Sequence, residues 1–215
     1  MNKKIGFISL GCAKNLTDTE TMIGILADKG FEITADAAQS EIIVVNTCAF
    51  IDSAKEESIN AILDAAQYKE NKCELLIVTG CLAQRYKDEI SKELPEVDIV
   101  LGTNDYPSIC KTIEEYYKNG SKSVIVSSEN TPVAYDLPRF KTTPFYSSYL
   151  KIADGCDNFC TYCIIPKLRG KFRSRPVESI ITEAKELAKE GRKVIAVVFN
   201  CKDYNDFSRK YFGER

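Results

Sequence analysis

Along the first 130 residues, apolar β-branched runs alternate with stretches whose apolar residues recur every three or four positions. Residues 5–10, 41–46, 75–79, 98–101 and 123–127 have the length and Val/Ile content of strands. Between them, residues 18–29, 54–68, 84–94 and 106–118 carry the helical period. Two of these helices open on a capping-box signature, Thr17-Asp-Thr-Glu20 and Ser53-Ala-Lys-Glu56. Strictly alternating strands and helices predict a parallel sheet covered on both faces, a flavodoxin-like domain over residues 1–130. Residues 129–144 hold three prolines and few apolar positions, so 131–144 reads as a linker. A second unit, residues 145–215, begins with a strand over 146–152, a helix over 177–189 and a strand over 193–199. No run approaches the roughly 18 apolar residues of a membrane span.

Composition turns attention to sulfur. The chain has nine cysteines, and its first ten residues read as a strand rather than a secretion signal, which points to a reducing compartment and to metal ligation. It has no histidine, which excludes Ser-His-Asp and Cys-His catalysis and leaves any soft-metal site dependent on thiolate. Cys156, Cys160 and Cys163 stand as C-x3-C-x2-C on one short loop. Three such thiolates can hold three irons of a four-iron cluster and leave the fourth iron open; a structural zinc is the alternative. Cys12, Cys48 and Cys81 each follow one of the first three predicted strands, so a parallel sheet brings them to its carboxyl edge, where ligands of such folds bind. They could hold a second cluster, or they could be small buried apolar residues. Cys73, Cys110 and Cys201 lack that placement and read as ordinary thiols.

Charge is near balance overall but unevenly spread. Residues 1–144 carry 15 basic and 22 acidic side chains, a net of −7, whereas residues 145–215 carry 14 and 9, a net of +5. An anionic partner is therefore expected at the second unit. Lys167, Arg169, Lys171, Arg173 and Arg175 fall on every second residue. In an extended segment all five would face one side and could hold a phosphate, an acidic protein surface or a carboxylate; the plainer reading is a solvated face.

The words around the cysteines carry a resemblance. Ser9-Leu-Gly-Cys-Ala-Lys-Asn15 with Asp18-Thr-Glu20, Asn46-Thr-Cys-Ala-Phe-Ile-Asp-Ser-Ala-Lys-Glu-Glu-Ser58, Thr79-Gly-Cys-Leu-Ala-Gln-Arg-Tyr86, and residues 155–175 ending Pro166-Lys-Leu-Arg-Gly-Lys-Phe-Arg-Ser-Arg-Pro176 resemble the radical S-adenosylmethionine (SAM) methylthiotransferases. The opening with Lys14 and the run after Phe50 resemble the branch that modifies an aspartate of the twelfth small-subunit ribosomal protein, rather than the tRNA-modifying branches. The resemblance implies an N-terminal flavodoxin-like domain followed by the start of a radical SAM (β/α) partial barrel. It implies two 4Fe-4S clusters, one on Cys156, Cys160 and Cys163 that binds SAM, and an auxiliary one on Cys12, Cys48 and Cys81. Reductive cleavage of SAM would give methionine and a 5′-deoxyadenosyl radical, the auxiliary cluster would present sulfur, and a second SAM would supply the methyl group. An unactivated C–H bond calls for such a cofactor, because no side-chain base removes its proton. Tyr162 is the aromatic expected near the adenine of SAM, with packing beneath the loop as the alternative. Arg175, the basic residue framed most tightly by the motif, is expected to bind SAM, through its carboxylate, with a solvated face as the alternative. The implied partners are a ribosomal protein or the ribosome, a low-potential electron donor and, less favoured, tRNA, in the cytoplasm and with no membrane.

The resemblance is expected to run to about residue 198. Where the family's second barrel strand leads into polar residues, often Gln-Asp-Thr, this chain has Phe199-Asn-Cys-Lys202, and residues 201–215 follow neither period. The expectation is an incomplete second domain with a tail arising from a broken reading frame. The alternative to an enzyme is then a silent iron–sulfur-binding fragment.

Overall fold

Strands covered on both faces must be apolar at consecutive positions, and β3 (Ile42–Thr47) and β4 (Leu75–Gly80) are buried at every residue. They form the centre of a six-stranded sheet in the computed structural model, which describes residues 3–128, 131 and 134–198. The sheet order is β2-β1-β3-β4-β5-β6, with β1 at Lys4–Ser9, β2 at Glu32–Thr34, β5 at Ile99–Leu101 and β6 at Ser123–Ile125. Every pairing is parallel; Val44 stands opposite Ile77 and Val45 opposite Val78. One face packs Ile43, Val45, Leu76 and Val78 against Ile62 and Ala65 of α2 (Asp52–Gln67). The other packs Ile5, Val44 and Ile77 against Met22 and Leu26 of α1 (Ala13–Asp28) and Ile109 and Ile113 of α5 (Ile109–Asn119). This is the flavodoxin-like arrangement expected from the alternation.

The differences are local. β2 is a three-residue edge strand, too short to show a period, and it is held by its register with Lys4–Gly6 of β1. The helix expected over 84–94 is two helices, α3 (Cys81–Arg85) and α4 (Lys87–Glu93), broken at Tyr86 with φ −126° and ψ 36°. Neither capping box caps. Helix α1 starts at Ala13 because Gly11, with φ +91°, reverses the chain directly after β1; Thr17 then lies inside the helix and its hydroxyl donates to the Lys14 carbonyl at 2.8 Å. Helix α2 begins at Asp52, with Ile51 as its N-cap, which places Ser53 in its first turn.

The second unit repeats the logic. β7 (Ser147–Lys151) and β10 (Val194–Val198) pair in parallel, joined through α7 (Val177–Lys189), as one βαβ unit. Between β7 and α7 lie β8 (Ala153–Asp154), α6 (Ile165–Arg169) and β9 (Arg173–Ser174), with β8 and β9 antiparallel. Cys201 and the 201–215 tail lie outside the described residues.

The stretch read as a linker packs on both units. A Cβ on Gly24 of α1 would collide with the Pro138 carbonyl, so glycine is what lets the stretch lie against the helix. Glu20, fully buried, accepts Arg139 Nε at 2.8 Å and Nη2 at 2.5 Å, together with the Thr142 amide at 2.7 Å. Arg139 Nη1 donates onward to the Tyr149 carbonyl at 2.7 Å and to Glu183 of α7 at 2.6 Å. Among the described residues no helix is long and apolar enough to cross a membrane.

Candidate metal centre

The carboxyl edge of the sheet gathers the first three cysteines. Cys12 is the N-cap residue of α1, Cys48 follows β3, and Cys81 opens α3 directly after β4. Glycines make this approach possible. A Cβ on Gly11 would lie 2.8 Å from the Cys48 Cβ and 3.0 Å from its Sγ. Gly80, also at φ +91°, would press a Cβ onto the Thr47 backbone nitrogen at 2.8 Å. Ser58 of α2 fixes Cys48 by accepting its amide and donating to its carbonyl, each at 2.9 Å. The Cys81 thiol faces Asn15 Oδ1 at 3.8 Å. Cys48 and Cys81 are buried and Cys12 is exposed, so the group opens outward through Cys12. Burial pushes the Cys81 thiol up; Arg169 opposes this, and the neighbouring Cys48 and Cys12 add to the rise. Helix α1 has no side-chain cap at Cys12, so its first amides and its dipole favour negative charge there.

Cys156, Cys160 and Cys163 occupy the loop between β8 and α6. The loop is closed at its base, where the Cys156 amide donates to the Gly170 carbonyl at 3.0 Å and the Phe172 amide donates to Asp157 at 3.0 Å. It turns inside through Phe159, at φ +46°, and through the Cys163 amide donating to the Cys160 carbonyl at 2.9 Å. Cys160 is exposed and the other two are half-buried. Gly155 sits at φ +75° with the Lys171 carbonyl where a Cβ would be. Gly155→Ala is therefore expected to spring the base of this loop and cut the iron it binds at least twofold, with a stability loss of about 1–3 kcal/mol. Iron analysis beside urea unfolding checks both, and unchanged iron would show that the base does not shape the loop.

Tyr162 is 86% exposed, so it does not pack beneath the loop and its ring is free to meet a ligand. Among the described residues, no three Cys, Asp or Glu converge on a point suited to a single metal ion. Ligands of a cluster bind separate irons and need only line a concavity. The all-thiolate donor sets and the glycine-cleared edge at Gly11 and Gly80 fit that requirement.

The basic ribbon is not a ribbon. Pro166 at the start of α6 favours a helical turn, so Lys167 and Arg169 lie on a helix rather than a strand, and only Arg173 lies in β9. Arg169 is 1% exposed and turns into the domain interface. Its Nη2 donates to Asn15 Oδ1 at 2.7 Å and Asp18 Oδ2 at 2.9 Å, and its Nη1 donates to Asp154 Oδ2 at 3.0 Å. Arg175 is turned toward α7, donating to the Lys151 carbonyl at 3.0 Å, to Ser179 at 2.6 Å and to Glu183. It borders a cavity of about 620 Å³ between α1, residues 134–141 and α7 that none of the cluster cysteines lines.

The buried charges around Arg169 are what periodicity alone passes over. Lys151 bridges Asp18 at 2.6 Å and Asp154 at 2.7 Å, and Lys14 stands 3.6 Å from Asp154. Burial opposes charge on Asp154, but Lys151 and Arg169 outweigh it and hold its carboxyl well below the usual range. Burial pushes Lys14 down, and it raises the neighbouring Tyr106 phenol to about 12. The available signal is the run Lys14–Glu20, polar at six of seven positions yet inside a buried helix beside Cys12.

A doubly wound domain carrying three edge thiolates, followed by a βαβ unit with a three-cysteine loop, defines a radical SAM protein with an added cysteine-bearing N-terminal domain. Residues 150–210 match the Radical SAM superfamily, and residues 4–102 match the uncharacterized protein family UPF0004. The chain belongs to the RimO-type methylthiotransferase family. It is 50% identical to "Ribosomal protein uS12 methylthiotransferase RimO" of Acetivibrio thermocellus over 100% of this chain and 48% of that protein. The protein of the same name from Geobacter sulfurreducens is 50% identical over 98% of this chain and 47% of its own length. The one from Clostridium botulinum is 48% identical over 99% and 47%. The chain thus spans about half the length of the curated relatives it matches. These three alignments take in nearly all of the chain, whereas the protein of the same name from Trichlorobacter lovleyi aligns over 197 residues, 91% of this chain, in keeping with a resemblance that weakens near residue 198. The solved cobalamin-dependent S-adenosylmethionine radical enzyme OxsB, with aqua-cobalamin bound, shares the fold at a TM-score of 0.51 and 14% identity, over 91% of this chain and 34% of that one.

Proposed function

We propose that this chain carries the two cluster-binding sites of a methylthiotransferase that adds a methylthio group to the β-carbon of an aspartate in the twelfth small-subunit ribosomal protein. One observation carries the reading: two sets of three cysteines, on different domains, flank an interface that Arg169 crosses. In this reading Cys156, Cys160 and Cys163 hold a 4Fe-4S cluster with one iron left for SAM, and Cys12, Cys48 and Cys81 hold a second. When bound and reduced by a low-potential donor, the first supplies the electron that splits SAM into methionine and a 5′-deoxyadenosyl radical.

The chain's own residues do the positioning. The Cys156 amide bond to Gly170 and the left-handed turn at Phe159 set the loop that presents the first three thiolates. Tyr162, outward on that loop, offers a face for stacking adenine. Arg175 acts from behind, through its bonds to Lys151 and Glu183, by fixing the end of β7 just ahead of β8, from which the loop departs. The names of the relatives favour a ribosomal protein over tRNA as substrate, which would set the chain to work beside ribosomes in the cytoplasm.

The test is reductive cleavage. Anaerobically reconstituted chain, mixed with SAM and dithionite, is expected to release 5′-deoxyadenosine, and Cys160→Ala is expected to abolish the release. Cleavage that survives Cys160→Ala would remove the loop from the reaction.

A further inference from the structure

Three cations and two carboxylates are shut into the interface between the domains. Lys14, Asp18, Asp154 and Arg169 are each under a tenth exposed, and the Lys151 side chain is 12% exposed. Their formal charges leave a surplus of one positive charge. The neighbouring ionic group of Glu20, Arg139, Glu183 and Arg175 pairs within itself, and the further carboxylate there, Asp136, stands in solvent beside Arg175 rather than beside Arg169. A buried charge without a partner is costly, and a guanidinium, unlike an ammonium, cannot shed its proton to relieve it, so Arg169 favours an anion beside it. Arg169 reaches that anion's place, because the Asn15 Oδ1 that accepts its Nη2 at 2.7 Å is the same atom the Cys81 thiol faces at 3.8 Å.

The backbone around Arg169 serves the other site. The Thr103 hydroxyl of the N-terminal domain donates to the Leu168 carbonyl at 2.8 Å, and the Gly170 carbonyl takes the Cys156 amide. One turn of chain therefore fixes the first ligand of one cysteine set through its backbone and reaches the other set through its side chain. A planar guanidinium can meet Asn15, Asp18 and Asp154 together, which a lysine ammonium on a flexible stem cannot do in the same geometry.

We propose that Arg169 is a positioning residue for both cysteine sets, and that its charge is the counter-ion of the Cys12–Cys48–Cys81 site and raises the reduction potential of the cluster held there. The inference rests on the cluster reading of those three cysteines. A positive charge beside a cluster favours the form that has gained an electron, so its removal lowers the potential.

The experiment uses the full chain carrying Cys156→Ala, Cys160→Ala and Cys163→Ala, reconstituted anaerobically with iron and sulfide. Absence of iron in this parent would overturn the cluster reading itself. With iron bound, the midpoint potential is read by redox titration followed by electron paramagnetic resonance. Arg169→Gln, which keeps a donor toward Asn15, is expected to move the midpoint to more negative values, and Arg169→Lys is expected to return most of the shift. An unchanged midpoint in Arg169→Gln with iron retained would overturn the proposal while leaving the cluster reading intact. If Arg169→Gln fails to fold or to hold iron, rescue of iron by Arg169→Lys supports the proposal. Asp18→Asn then gives the second readout: it enlarges the positive surplus and should shift the midpoint upward, and no shift counts against Arg169.

Discussion

Replacing Cys12, Cys48 and Cys81 together with alanine is expected to halve the iron the chain binds, from about eight to about four per chain after anaerobic reconstitution. Replacing Cys156, Cys160 and Cys163 should remove the other half, and all six replacements should leave none. The expectation of two equal and separable losses follows from where the ligands stand. The first set hangs from three strand ends of one sheet, two of them cleared by glycine, and the second lies on one loop closed by its own backbone bonds. Neither set contributes a side chain to the other, so their losses should add. Iron and sulfide assays on the three variants measure this directly. Loss of all iron from either triple variant would mean a single shared site, and the two-cluster reading would fall.

Much of this arrangement is legible without a structure, because two periods carry it. Buried parallel strands have to be apolar at consecutive positions, as Ile42–Val45 are in β3, and the helix between two such strands has to show the 3.6-residue repeat. The cysteines at the strand ends follow from topology alone, since parallel strands bring their carboxyl ends to one edge. Helix starts were less legible. Gly11 moved the beginning of α1 ahead of the Thr17 signature by conformational freedom, which no hydrophobic repeat records. The basic residues after Pro166 were misleading for a related reason: alternation in sequence fixes a common side only in a strand, and Lys167 and Arg169 are helical. Arg169 could not be placed from sequence because its partners, Asn15 and Asp18, are some 150 residues away and belong to another domain. Long-range ion pairing leaves no local pattern, and only the polar run on a helix that should have been amphipathic hints at it.

Glu20→Ala is expected to cost about 3–5 kcal/mol of folding stability, the effect of breaking a buried ion pair from one side. Glu20 has no exposed surface and accepts bonds from both Nε and Nη2 of Arg139 as well as from the Thr142 amide and hydroxyl. Removing the carboxylate strands the Arg139 guanidinium, whose side chain is 9% exposed, with only Glu183 to balance it, and Glu183 is already shared with Arg175. The stretch around residues 138–142 would lose its hold on α1, and with it one of the ties between the two domains. The ties through Arg169, Asn15 and Asp18, through Lys151 and Asp18 and through Thr103 and Leu168 do not use Glu20, so the cysteine sets should keep their iron where the variant is folded. Urea unfolding of parent and variant, each monitored beside its iron content, separates the two consequences. A midpoint shift worth less than about 1 kcal/mol would mean that water reaches the freed guanidinium and that residues 138–142 are not a clamp.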